Sequence, residues 1–189
     1  EKEISWAWGD IDRERCQFYQ AIRPDDPDGF TSIGARGSLL SHLGALRLAR
    51  EKSVNRVLLL EDDVAFHPWV RDPDLLSTLS ERLAHGDWDF LYLGHNIPDS
   101  ACRGRPPALE VYTKGICGAH CLGLSARVLE NFIPYLESTI VNPPGHPDGG
   151  RMGFDGATNL FRARNPVRTL ALMPAVALQR SSRTDLGQE

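Results

Sequence analysis

Val57-Leu58-Leu59-Leu60 runs without a break into Glu61-Asp62-Asp63. Four consecutive apolar residues are too few for a helix and suit a buried strand. Three carboxylates directly behind them repel one another unless water or a cation absorbs their charge. The chain must therefore leave the core at Glu61 and present the acids at a strand end. That single junction points to a sheet whose loops carry the chemistry, as in α/β folds.

The flanking sequence supplies helices for such a sheet. From Ser38 onward, Leu39, Leu40, Leu43, Leu46 and Ala49 recur at three- and four-residue steps, which predicts a helix. Asp72 is placed to cap a second helix, with Pro73 at its first position and Asp74 at the positive end of its dipole. Leu75, Leu76, Leu79 and Leu83 form the apolar face of that helix, and Gly86 ends it. Trp88 to Leu93, Leu109 to Thr113, Ala119 to Leu124, Arg168 to Met173 and Val176 to Gln179 read as strands. Ser125 is placed to cap a helix to about Glu137, with Pro134 as a kink or an early end. Residues 142–156, with three prolines and five glycines, read as a mobile loop, and Phe154 to Arg164 as a short helix. The expected fold is an α/β domain of 189 residues with a mixed sheet.

Composition narrows the function. Lys plus Arg number 21 against 25 Asp plus Glu, for a net charge of −4. A mildly acidic chain is a poor match for a nucleic-acid backbone, so no nucleic-acid partner is expected. The longest apolar run, Leu170 to Leu178, is interrupted by Pro174 and falls far below the ~20 residues of a membrane span. Without such a span or an Asn-x-Ser/Thr sequon, the expected location is cytoplasmic, at most peripheral at an inner membrane surface. The cysteines, Cys16, Cys102, Cys117 and Cys121, lack the spacing of a zinc site and read as reduced thiols.

The acidic cluster has two readings. In an extended chain Glu61 and Asp63 share one side, a hard-oxygen half-site suited to Mg2+ or Mn2+ with positions left for water and substrate phosphates. Alternatively it is a solvated strand end where Asp62 or Asp63 caps a turn. A receiver domain also carries acids after a strand, but its phospho-accepting Asp should follow Trp88 to Leu93, and Gly94 follows instead.

Ser32-Ile33-Gly34-Ala35-Arg36-Gly37-Ser38-Leu39-Leu40-Ser41-His42, followed by Val57 to Asp63, resembles glycosyltransferase family 25, which includes lipooligosaccharide and procollagen galactosyltransferases. The Leu93-Gly94 strand end, the Gly118 to Ser125 strand, Asp155 with Leu160, and Gln179 ahead of Ser181 to Asp185 are similar too. The resemblance covers residue 19 onward. The family's opening strand and its Arg-bearing segment have no match in Glu1 to Tyr19. It implies a single domain of the nucleotide-sugar glycosyltransferase A type, with its first strand missing.

The resemblance implies transfer of a hexose, most often galactose, from a UDP-sugar to a saccharide or glycolipid hydroxyl with inversion, as in lipopolysaccharide biosynthesis. Asp63, with Asp62 and Glu61, is then expected to hold Mn2+ or Mg2+ against the leaving diphosphate. Glu61 or Asp62 can also meet the donor ribose, and Gly34, Gln179, Arg180 and Arg183 its phosphates. Inversion needs a base for the acceptor hydroxyl, for which Asp155 is the first candidate and His120, His146 and Asp185 are rivals. Asp155 can also cap the helix that begins near Gly156. His42, on the polar side of its helix, enters the site through the family match alone. Trp6, Trp8 and Trp69 are candidates for stacking on sugar, and Trp88 for the core. Two other functions remain open: a catalytically silent nucleotide- or sugar-binding module, and a metal-dependent phosphohydrolase using the same acids.

Overall fold

The computed structural model describes residues 14–98 and 105–180. Trp6, Trp8, Cys102, Arg183, Asp185 and the expectation of a missing first strand lie wholly or largely outside them. The elements are α1 (Ile33–Glu51), β1 (Arg56–Leu60), β2 (Val64–Phe66), a 3-10 turn (Pro68–Arg71), α2 (Pro73–Ala84), β3 (Phe90–Gly94), β4 (Ala108–Val111), β5 (Cys121–Ser125), α3 (Ala126–Val141), α4 (Phe154–Arg164), β6 (Thr169–Met173) and β7 (Ala177–Gln179). The chain is mixed α/β, with a sheet of order β1-β5-β3-β6-β4 to which β2 and β7 are attached. Two compact units divide it. One comprises the described residues of Glu1–Phe18, Leu58–Ser125 and Val167–Ser181; the other, those of Tyr19–Val57, Ala126–Pro166 and Ser182–Glu189.

The first unit holds the sheet. β3 runs parallel to β6 and antiparallel to β5, and β4 pairs antiparallel with β6. Every residue of β5 and β6 is buried, as their near-continuous apolar sequences require. Asp89 ties the entry of β3 to its neighbours. Its carboxylate accepts the Arg168 N–H at 2.8 Å and its carbonyl accepts the Ser125 N–H at 3.1 Å. Trp88, Leu91 and Leu170 form one core cluster; Val64, Phe66, Val70, Cys121 and Ala177 form another.

β1 departs from expectation. Val57 to Leu60 form the strand, but none of its residues is fully buried and Leu58 is 41 % exposed. The cause is position: β1 lies at the end of the strand order, with a neighbour on one side only. The α2 helix is capped as the sequence dictates, Asp72 Oδ1 accepting the Asp74 and Leu75 N–H groups at 3.0 and 2.9 Å. Its leucine face is shallow, and Leu83 is the one that packs on the Trp88 cluster.

The second unit is helical: α1, α3 and α4 pack on one another. Leu39, Leu43 and Leu46 of α1, Phe132 and Leu136 of α3, and Phe154 and Phe161 of α4 are buried. α1 begins at Ile33, five residues ahead of the expected start, because Ser32 Oγ accepts the Ala35 N–H at 3.0 Å and caps the helix there. Gly34 and Gly37 are therefore inside the helix. Gly37 serves close packing, since a Cβ there would stand 2.8 Å from the Ile22 carbonyl oxygen. α3 runs through Pro134 to Val141, so the early end does not occur. The Ser125 hydroxyl bonds Asp89 at 3.5 Å.

Residues 142–153 are densely tied, where the composition suggested mobility. The Asn142 amide donates to the Gly149 carbonyl at 2.9 Å, the His146 N–H to Pro143, the Gly149 N–H to His146, and Arg151 Nε to Ile140. Glycines here permit tight backbone turns that the polar groups then close.

Candidate functional site

The acids occupy a turn between β1 and β2. The Val64 N–H donates to the Glu61 carbonyl at 3.3 Å, which closes Glu61 to Val64 into a β-turn. The extended alternation that would place Glu61 and Asp63 on one side therefore does not hold. A turn spreads the three carboxylates apart, relieving the repulsion that an extended strand end would concentrate, with Asp62 in water and Asp63 Oδ1 buried. Asp62 is exposed; Glu61 and Asp63 are half-buried.

Two residues from the far end of the chain meet this turn. β2 pairs with β7 in a register that sets Val64 opposite Gln179. The Gln179 amide consequently donates to Asp63 Oδ2 at 2.9 Å. Arg180 Nη2 donates to the Asp62 carbonyl at 2.7 Å and Nε to the Asp63 carbonyl at 3.3 Å, while the Arg180 N–H reaches the same Asp63 oxygen at 2.8 Å. Glu61, Asp62, Asp63, Gln179 and Arg180 thus form one polar assembly, and the Glu61 N–H anchors it to the His120 carbonyl at 3.1 Å.

The donor set is hard oxygen, the right chemistry for Mg2+ or Mn2+. It fits an open site in which Asp63 and Asp62 supply one or two carboxylates and water and phosphate the rest. It does not fit a protein cage: among the described residues no three His, Cys, Asp or Glu side chains converge on a metal position.

His42, Asp155 and Gly34 belong to the second unit. His42 stacks on Phe154, with ring centroids 4.0 Å apart and planes 13° from parallel. Its Nδ1 lies 2.8 Å from the Ser38 carbonyl, which can only accept, so that nitrogen carries the proton. This corrects the polar-face reading of His42. Burial lowers the His42 pKa, while the Ser38 hydrogen bond and the nearby Asp155 carboxylate pull it partly back. Asp155 is half-buried in the first turn of α4, whose N-cap is Gly153, so Asp155 is not the cap. Gly34 lies in the first turn of α1.

Phe154 starts its helix where the sequence placed it, but its stacking on His42 escaped the sequence reading. Among the rival bases, His146 Nδ1 accepts the Asp148 N–H at 3.2 Å within the tied loop. Trp88 is buried, and its indole N–H donates to the Leu83 carbonyl at 3.3 Å. Burial pushes the Cys121 thiol up, away from reactivity. No helix among the described residues is long and apolar enough to cross a membrane. A scan against protein-family models matches no family, and a search of curated proteins finds no significant match.

Proposed function

We propose that the chain is a glycosyltransferase of the family 25 kind. It would move a hexose, galactose first among the candidates, from a UDP-sugar to a saccharide or glycolipid hydroxyl with inversion. The observation that carries this reading is the pairing of Asp63 with Gln179 and Arg180. The resemblance marks both regions on sequence alone, and β2–β7 pairing joins them across 116 residues of chain.

Each residue then has a task. Asp63, with Asp62 beside it, is the carboxylate donor for a divalent cation. A bound Mn2+ or Mg2+ would offset the charge growing on the departing diphosphate. Gln179 fixes the Asp63 carboxylate, and Arg180 adds a permanent positive charge where an anion would arrive. For the acceptor proton, Asp155 keeps the role of base that the resemblance implies for it. His42, kept neutral by burial and held by Ser38 and Phe154, stands near the Asp155 carboxylate.

A nucleotide- or sugar-binding module without turnover is the second reading, in which the Asp63, Gln179 and Arg180 assembly holds a ligand but no acceptor is activated. Calorimetry of UDP with and without Mn2+, on the wild type and Asp63→Asn, tests the first reading. Mn2+ should tighten UDP binding by the wild type at least tenfold and leave the variant unaffected. Equal, metal-independent affinities in both proteins would overturn it and favour the silent module.

A further inference from the structure

β1 and β4 stand at the two ends of the strand order, so each has one side without a strand neighbour among the described residues. An open edge presents a row of N–H and C=O groups to any other strand, and natural sheets blunt it with prolines or charges. β4 is blunted in this way. Pro106 and Pro107 directly precede it, and Glu110 within it pairs with Arg105 at 3.2 Å. β1 is not. Val57 to Leu60 carry neither proline nor charge, and Leu58 is 41 % exposed. An apolar, unguarded edge is the kind that another strand joins.

The hydrogen bonds at the two ends of β1 fix which of its groups face outward. The Glu61 N–H donates to the His120 carbonyl at 3.1 Å, and the Asn55 carbonyl accepts the Ala126 N–H at 2.9 Å. The partners run in opposite chain directions, so β1 is antiparallel to β5. The odd-numbered residues turn their backbone groups toward β5, and Arg56, Leu58 and Leu60 turn theirs to the open side. Charge is polarised along the strand as well: Arg56 stands at its start, and Glu61-Asp62-Asp63 follow its end.

We propose that the open edge of β1 is a dimer interface, where it pairs antiparallel with β1 of a second copy of this chain. A twofold axis perpendicular to the sheet sets each residue opposite one of the same parity, so outward groups meet outward groups. With Leu58 opposite Leu58 of the second copy, Arg56 falls opposite Leu60. Each of these pairs exchanges two backbone hydrogen bonds, and the exposed leucine is covered by its counterpart. The same register lays Arg56 of each copy diagonally across from residue 62 of the other, so the base meets the acidic turn. A parallel pairing would set base against base and acids against acids. The strand is therefore complementary to itself in charge as well as in hydrogen bonding, and the twofold closes the assembly at two copies.

Sedimentation of the wild type over a range of concentrations should show a monomer–dimer equilibrium. Leu58→Lys sets two like charges directly opposite each other and should weaken dimerisation at least about tenfold, with the circular dichroism of the monomer unchanged. Leu58→Cys tests the register. Hydrogen-bonded antiparallel pairs hold their Cα atoms about 5.5 Å apart, within disulfide range. Mild oxidation should therefore join two copies through position 58, as read by peptide mapping. Leu59→Cys, which falls opposite Val57 of the second copy, should not link to its counterpart. Linkage at 59 and not at 58 overturns the pairing. A wild type that stays monomeric to about 1 mM, or a dimer unmoved by Leu58→Lys, overturns the interface. If Leu58→Lys does not fold, the linkage through position 58 decides alone. The glycosyltransferase reading stands or falls separately, by the calorimetry of UDP.

Discussion

The acidic turn of the first unit and the His42 cluster of the second hold polar groups by opposite means. Around Asp63 the partners are polar and exposed: an amide and a guanidinium reach in from β7 and the residue after it. Around His42 the partner is an aromatic ring, and burial itself sets the protonation state. A charge kept near water costs little and remains available to an ion or a phosphate. A titratable group kept out of water has its proton affinity tuned by its surroundings. Under the proposed function, the first region would bind an anion and the second would handle a proton.

Breaking that division gives the largest expected effect. Asp155→Asn should lower turnover by about 10²–10⁴-fold, the usual contribution of a positioned base, with UDP affinity and melting temperature nearly unchanged. A variant with near-normal turnover would place the base elsewhere. Gln179→Ala should act on the other side of the comparison, weakening Mn2+-linked UDP binding several-fold, the modest yield of an exposed bond to a carboxylate. Calorimetry reads that change, and a turnover defect at saturating donor would blur the distinction between the two regions.

The smallest effect is a pH dependence. Burial lowers the His42 pKa, so the unfolded chain binds its proton first as pH falls. The stability contributed by neutral His42 is present in full above its unfolded value of about 6.5 and is lost progressively below it, toward the lowered folded value. Denaturation midpoints at pH 7.5 and 5.5 should therefore differ less in His42→Gln than in the wild type. An identical slope in both would mean that the ring titrates as if in water.

Local signals in the sequence were reliable where the cause was local. Asp72 and Pro73 start α2 because capping is settled within four residues. α1 starts early because Ser32 competes successfully for the Ala35 N–H, a choice the leucine spacing does not encode. Val57 to Leu60 has the composition of a central strand, and only the strand order reveals that β1 has one neighbour. At the candidate site, the carboxylates were visible because they interrupt an apolar run. Their tie to Gln179 was not, since it arises from pairing between β2 and β7. The stacking of His42 on Phe154 likewise needs two helices brought together, and a polar-looking helix position gives no sign of it.

Arg180 grips the turn through the carbonyls of Asp62 and Asp63, not through their carboxylates. The backbone shape of the turn is therefore insulated from the identity of the side chains it displays. Residue 62, which is exposed, can be exchanged for an amide, a hydroxyl or another acid while the mount that presents it stays in place, whereas Asp63 is also held through its carboxylate by Gln179. That makes the turn an interchangeable socket: a position where ligand preference can drift, or be redesigned, at little risk to the fold that carries it.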